Sequence, residues 1–253
     1  MLFILLGAAS YGLMSPFVKM AMADGWNVRP LTFMQVICGT VLLWIIFLVR
    51  HRFRPQLKFK PIVWIWLILI GISGLSLTTI LFNNALDRLD ASLSIVLLFQ
   101  FTWITILLEC IRMKRWPKRH EWISVMLVLA GTLLAARLAE DGLGRMDPAG
   151  IVLGLLSAVS YSLFFFLSSY LPPDLDPLAK SSVMAAVSLL FILSVQGTGL
   201  GPEAGFGSIP LVAWGILLGL LGTALPTVFM NAGIPKVGAG LAALLGSFEL
   251  PIA

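Results

Sequence analysis

The sequence predicts an all-α integral membrane protein, and three observations lead there. Of its 253 residues, 59% are apolar and only 11% charged, where a soluble domain carries about 25% charged and about 45–50% apolar residues. The apolar residues gather into continuous runs of about 20, the length a helix needs to cross a hydrocarbon core about 30 Å thick. Those runs do not alternate with period two, so they are helices and not barrel strands. With a mean hydropathy of +0.99, the chain has too little charge to make a water-soluble surface.

Nine spans are predicted: 2–22, 31–49, 61–82, 91–110, 122–139, 149–171, 181–197, 209–230 and 237–253. The first has neither a basic n-region nor a small-residue cleavage site, so it is a helix and not a cleavable signal peptide. Lys19, near its outer end, is explained by snorkelling. The second and fourth spans are each followed by a basic loop: Arg50, Arg52, Arg54, Lys58 and Lys60, then Arg112, Lys114, Arg115, Lys118 and Arg119. These ten of the 17 basic residues put loops 50–60 and 111–120 in the cytoplasm of a multi-pass inner or plasma membrane protein, with the N-terminus on the same side. Clustered so, the net charge of +5 meets lipid headgroups, and no nucleic acid is expected as partner. His51 and His120 belong to these loops and read as solvated. Gly71, Gly74, Gly215, Gly219 and Gly222 read as close helix-packing surfaces, and the run Gly197, Gly199, Gly201 as an external loop. Cys38 and Cys110 sit in apolar surroundings, which implies neither disulfide nor metal. No phosphate loop is present, so no cofactor is expected.

The halves resemble one another at an offset of about 148–150 residues. Ser10-Tyr11 and Leu13 fall on Ser160-Tyr161 and Leu163; Gly71, Gly74, Leu77, Thr79 and Asn83 fall on Gly219, Gly222, Leu225, Thr227 and Asn231. The first unit, 1–147, holds five helices, an odd number, so the second, 148–253, enters the membrane in the opposite sense. Loop 198–208, the counterpart of basic loop 50–60, agrees: it has Glu203 and no Lys or Arg. Inverted repeats are a transporter signature, with the solute site near the midplane between the units. The expectation is two inverted five-helix repeats, a ten-helix fold seen here with nine spans, the second unit lacking its last helix.

This pattern resembles the EamA-type permeases of the drug/metabolite transporter superfamily along nearly the whole chain. The local matches are Leu244–Ala253 (LLGSFELPIA), which is similar to the Glu-x-Pro segment of that family's ninth helix; Leu107-Leu108-Glu109 before a basic loop, then Ala130-Gly131; and Ser10-Tyr11-Gly12 with Pro16 and Lys19 in the first helix. Gln100-Phe101-Thr102 stands where the first unit usually has a proline, which argues against a backbone break there. The resemblance implies efflux or uptake of a small metabolite, often an amino acid, by alternating access, with export the expected direction.

Few polar side chains lie deep in the spans. Glu249 falls about 12 residues into the ninth, roughly 18 Å at helical rise, near the middle of the core. A carboxylate there costs at least about 2.5–3.5 kcal/mol on insertion scales unless it faces water, a partner or a proton. Pro251, two residues on, loosens the backbone beside it. Glu249 is therefore the first candidate for binding a cationic part of the solute or carrying a coupling proton; the competing role is a hydrogen bond to a neighbouring helix. Gln100, Asn83 and Asn231 offer donors and acceptors for a zwitterion or polyol, or else interhelical hydrogen bonds. Tyr11, Tyr161 and Trp103 are aromatic walls for a central cavity, or packing residues. An intramembrane enzyme would want paired carboxylates, His clusters or an activated nucleophile, which the spans lack; a lipid flippase shares the composition and stays open. The expected partners are a small-molecule solute, membrane lipids and protons.

Overall fold

In the computed structural model the described residues are 1–52, 57, 59–138, 147–196 and 208–249. Pro251, the 197–201 glycine run and part of loop 50–60 lie outside them. All regular structure among these residues is helical: α1 (Leu2–Ala23), α2 (Val28–Arg50), α3 (Pro61–Leu86), α4 in two pieces (Ala91–Leu98 and Phe101–Met113), α5 (Arg119–Leu138), α6 (Pro148–Ser168), α7 (Pro177–Gln196), α8 (Ile209–Val237) and α9 (Ala239–Gly246), which ends in a 3-10 turn, Ser247–Glu249. Seven helices, α1–α4 and α6–α8, are long and apolar enough to cross a membrane; α5 and α9 hold shorter apolar stretches. Pro61, Pro148 and Pro210 stand in first turns, where a missing N–H costs nothing. Asp147 caps α6, accepting from the Ala149 N–H at 3.0 Å.

Two of these helices carry a π-turn, Ile70–Ser76 in α3 and Leu220–Ala224 in α8. In each, the turn marks a change of neighbour. The half of α3 before it packs on α7, the half after it on α6; the half of α8 before it packs on α2, the half after it on α1. Glycines let the backbones approach. A Cβ on Gly219 would lie 2.5 Å from Gly39 N and 2.8 Å from Gln35 O; one on Gly71 would lie 2.9 Å from Met184 O. A serine reaches each π-turn: Ser10 Oγ donates to Leu221 O at 2.7 Å, and Ser160 Oγ donates to Ser73 O.

Around this crossing the core gathers Ile4, Leu67, Ile70, Phe101, Tyr161, Phe164, Phe165 and Met184. The outward faces are apolar too: Ile111, Leu127 and Leu190 are each about two-thirds exposed. Small hydroxyls inside, Ser76, Ser160, Ser181 and Ser182 among them, hydrogen-bond within and between helices. Polar side chains inside and apolar ones outside is the arrangement a lipid solvent selects.

Two expectations need correcting. The fourth helix does break, at Phe99-Gln100, although no proline stands there. The backbone stays helical (Phe99 φ −64°, ψ −8°; Gln100 φ −60°, ψ −17°) but tightens, so that Gln100 N and Thr102 N donate three residues back, to Leu97 O and Phe99 O. His51 is not simply solvated: its ring packs on Phe47 at 4.7 Å, and Nε2 lies 3.1 Å from Asp176 Oδ2. The His120 side chain is outside the described residues.

Candidate functional site

Three of the seven predicted site residues come together. Tyr11 on α1, Tyr161 on α6 and Glu249 at the end of α9 lie within electrostatic reach of one another. The elements explain why. α9 is short and closes in a 3-10 turn, which packs on α1, and its Gly246 has no side chain to hold it off Phe165 and Phe101; a Cβ there would meet Phe165 Cζ at 3.2 Å. Tyr161 is buried against Phe101 (ring centroids 4.6 Å) and Phe165 (5.2 Å), whereas Tyr11 and Glu249 are half-buried. The result is a single carboxylate beside two phenols and an aromatic wall. Such a set can pair with an ammonium group through charge and ring faces and can hold or pass a proton at the carboxylate, with the phenols as hydrogen-bond donors.

Gln100 and Trp103 pair with each other instead. Trp103 Nε1 donates to Gln100 Oε1 at 2.8 Å, and Gln100 Nε2 donates to Val96 O at 3.0 Å. Their shared contribution is to hold the break in α4, which sets Phe101 against Tyr161. Asn231 is fully buried, and its Nδ2 donates to Ser181 Oγ at 2.9 Å; Asn83, at the matching place on α3, is half-buried a turn before the helix ends.

Two charged residues hold positions that the sequence did not suggest. Lys180 is fully buried in the first turn of α7, a residue before the apolar run read as starting at 181. Glu109, expected only as the acidic end of the fourth helix, accepts from the Gly240 N–H at 2.5 Å and so caps α9 from α4. The signal for Glu109 was the Gly238-Ala239-Gly240 stretch, whose lack of side chains leaves the helix start open to a carboxylate. Among the described residues no group of three or more His, Cys, Asp or Glu is placed to hold a metal ion.

A bundle of long apolar helices with polar contacts inside has the build of a multi-pass membrane protein, and the family match makes its class that of the transporters. The profile of the EamA-like transporter family matches residues 1–137 and 148–253, and the chain belongs to that family. It is 22% identical over 248 residues to YcbK, an uncharacterised transporter of Bacillus subtilis (strain 168), covering 96% of this chain and 79% of that one. A crystal structure matches with a TM-score of 0.71 at 16% identity, covering 98% of this chain and 85% of the other, a likeness of fold. The family makes the protein a transporter and not an enzyme, with a small-molecule solute as its transported partner.

Proposed function

We propose that the chain is a secondary transporter that exports a small, amino-acid-like metabolite across the cytoplasmic membrane by alternating access of two inverted units, 1–147 and 148–253, coupled to protons. The observation that carries this reading is the seating of α9 and its Ser247–Glu249 turn, from the second unit, on α1, which bears Tyr11, and on α6, which bears Tyr161.

The two-unit reading is supported by matched contacts. At the offset of about 150 for α1/α6 and about 148 for α3/α8, the Ser10–Leu221 O hydrogen bond maps onto Ser160–Ser73 O. The approach of Gly219 to Gln35 O maps within one residue onto that of Gly71 to Met184 O. Both π-turns lie at the same place, and the profile matches in two stretches. By the same reading α5 and α9 are spans, and the N-terminus and the loops 50–60 and 111–120 face the cytoplasm. A cysteine at position 56 or 118 labelled from outside intact cells would overturn that topology.

Glu249 tests the site. Glu249→Gln keeps shape and hydrogen bonding but removes titration. In liposomes screened for solute efflux with and without a pH gradient, it should abolish gradient-driven transport while leaving expression and melting temperature unchanged. Unaltered transport and pH dependence would reject a coupling role; loss of expression would make the carboxylate a packing group.

A further inference from the structure

Lys180 is the one fully buried lysine among the described residues, and neither the solute site nor the ion pairs use it. Its charged neighbours Asp174, Asp176 and Lys236 act on it at longer range, and its ammonium donates to two main-chain carbonyls: Asn231 O on α8 at 3.1 Å and Pro172 O in the α6–α7 connection at 3.4 Å. The reason Asn231 O is available lies four residues on. Pro235 stands inside α8, has no N–H, and cannot close the bond back to residue 231. A buried carbonyl left so needs another donor, and the lysine from α7 supplies it with a charge-assisted bond. Side chains flank the same joint, Asn231 Nδ2 donating to Ser181 Oγ at 2.9 Å.

The opposite end of the bundle is fastened differently. There the start of α2 meets the end of α3, the pair that the repeat sets against α7 and α8, through an ion pair of Arg29 with Asp87 whose side chains are 67% and 40% exposed. The end away from Lys180 has an exposed pair that salt screens; the Lys180 end has, besides the pairs of Arg50 and His51 with Asp176, a buried ammonium on a carbonyl that a proline has released.

We propose that Lys180 is a positioning residue of the transport cycle: seated on Asn231 O, it latches α7 to α8 and closes the end of the bundle where α7 begins, and its withdrawal opens that end. The proposal rests on the alternating-access reading above, and it adds the residue that governs one of the two gates.

The test uses the full chain in liposomes with Cys38 and Cys110 replaced by alanine, and two reporters added singly. Ala179→Cys lies beside the latch and Ala85→Cys near the opposite end, both at buried positions. A membrane-impermeant maleimide is applied from each side. Lys180→Met should speed labelling of Ala179→Cys by about tenfold or more, the effect of losing a hydrogen bond from a charged group, while Ala85→Cys labels no faster. Adding Pro235→Ala gives residue 235 an N–H for Asn231 O but no bond to α7, so Ala179→Cys should go on labelling fast; a return to slow labelling would mean that Lys180 only satisfies a released carbonyl and would overturn the latch. Equal labelling with and without Lys180, or faster labelling at both ends, would overturn the latch. If Lys180→Met does not insert, the Lys180→Met/Pro235→Ala protein decides: recovery of insertion with fast labelling of Ala179→Cys upholds the proposal, and slow labelling or failure to recover overturns it. The side from which Ala179→Cys reacts reports on topology alone, so an error in orientation is separable from an error in the latch.

Discussion

Replacing Gly219 by alanine puts a methyl group where α8 crosses α2. The new Cβ would stand 2.5 Å from Gly39 N and 2.8 Å from Gln35 O, both main-chain atoms, where ordinary contact begins at 3.4 Å. No rotamer can relieve a clash with backbone, so the helices must part by about 0.9 Å, the difference between 3.4 and 2.5 Å. The separation would also stretch the Ser10–Leu221 O bond, because Leu221 is two residues along the same helix. In lipid, helix association depends on van der Waals contact and not on expelled water, so lost contact is not recovered elsewhere. Overpacking costs typically about 1–3 kcal/mol, and a backbone clash sits at the upper end. At about 2–4 °C per kcal/mol for a chain of this size, the melting temperature should fall by roughly 5–10 °C. Gly131→Ala is the control: nothing lies within 4 Å of its added Cβ, and alanine favours a helix over glycine by about 1 kcal/mol. Gly71→Ala, 2.9 Å from Met184 O but otherwise facing the Val187 side chain, should fall between. Thermal unfolding of the purified protein in detergent, followed by size-exclusion chromatography, gives the ranking. If Gly219→Ala melts with Gly131→Ala, close backbone approach is not what holds α2 to α8.

Three further outcomes follow from individual contacts. Glu109→Ala removes the carboxylate that caps α9, which should cost about 1–2 kcal/mol and lower the melting temperature, with Glu109→Gln milder because it keeps an acceptor. Ser10→Ala and Ser160→Ala each remove one hydrogen bond to a π-turn, worth about 0.6–1.5 kcal/mol; Ser160→Ala should lose more, because Ser160 Oγ also accepts from Thr78 Oγ1 at 2.8 Å, and a loss in one variant alone would break the equivalence of the two turns. The Arg88 guanidinium, 2.7 Å from Asp147, and then the Ala149 N–H hold the Asp147 carboxyl below its usual value. A carboxyl lowered on folding stabilises above its unfolded value of about 3.9 and loses that contribution as pH falls through the lower folded one. Asp147→Asn should therefore melt below the unsubstituted protein at pH 7, and the gap should close once the pH is well below about 4.

Much of the bundle is legible in the sequence because the signal for it is additive. Twenty apolar residues identify a span whatever their order, and the basic clusters after the second and fourth spans make a consistent orientation argument. What the sequence hides depends on single atoms. The run 209–230 ends at the polar Asn231 and, just beyond, Pro235, yet α8 continues to Val237, because an ammonium from a distant helix replaces the missing N–H. The break in α4 has no proline to announce it; it rests on a relaxed ψ at two residues and on the Gln100–Trp103 bond. The equivalence of Ser10-Tyr11 with Ser160-Tyr161 is a reading of the sequence, and the two serine bonds to the π-turns support it. That Gln100 accepts from Trp103 was not readable, since an amide looks the same in sequence whichever partner it finds.

The π-turns also determine which length changes α3 and α8 can absorb. A π-turn is an α-helix that has taken in one extra residue, and each residue rotates a helix by about 100°. Deleting one residue of Ile70–Ser76 would let α3 close into an unbroken α-helix with both halves keeping their faces, because the wider turn carries its extra residue through about the same angle; in α2 or α7, which have no such turn, a deletion would swing one half about 100° against the other. Val63 and Leu67, now buried, would stay so while the second half still met α6. A single-residue deletion in the middle of α2 or α7 is a change of direction, felt by every side chain on one half of the rod; in α3 or α8 the π-turn can take it up as a change of length alone.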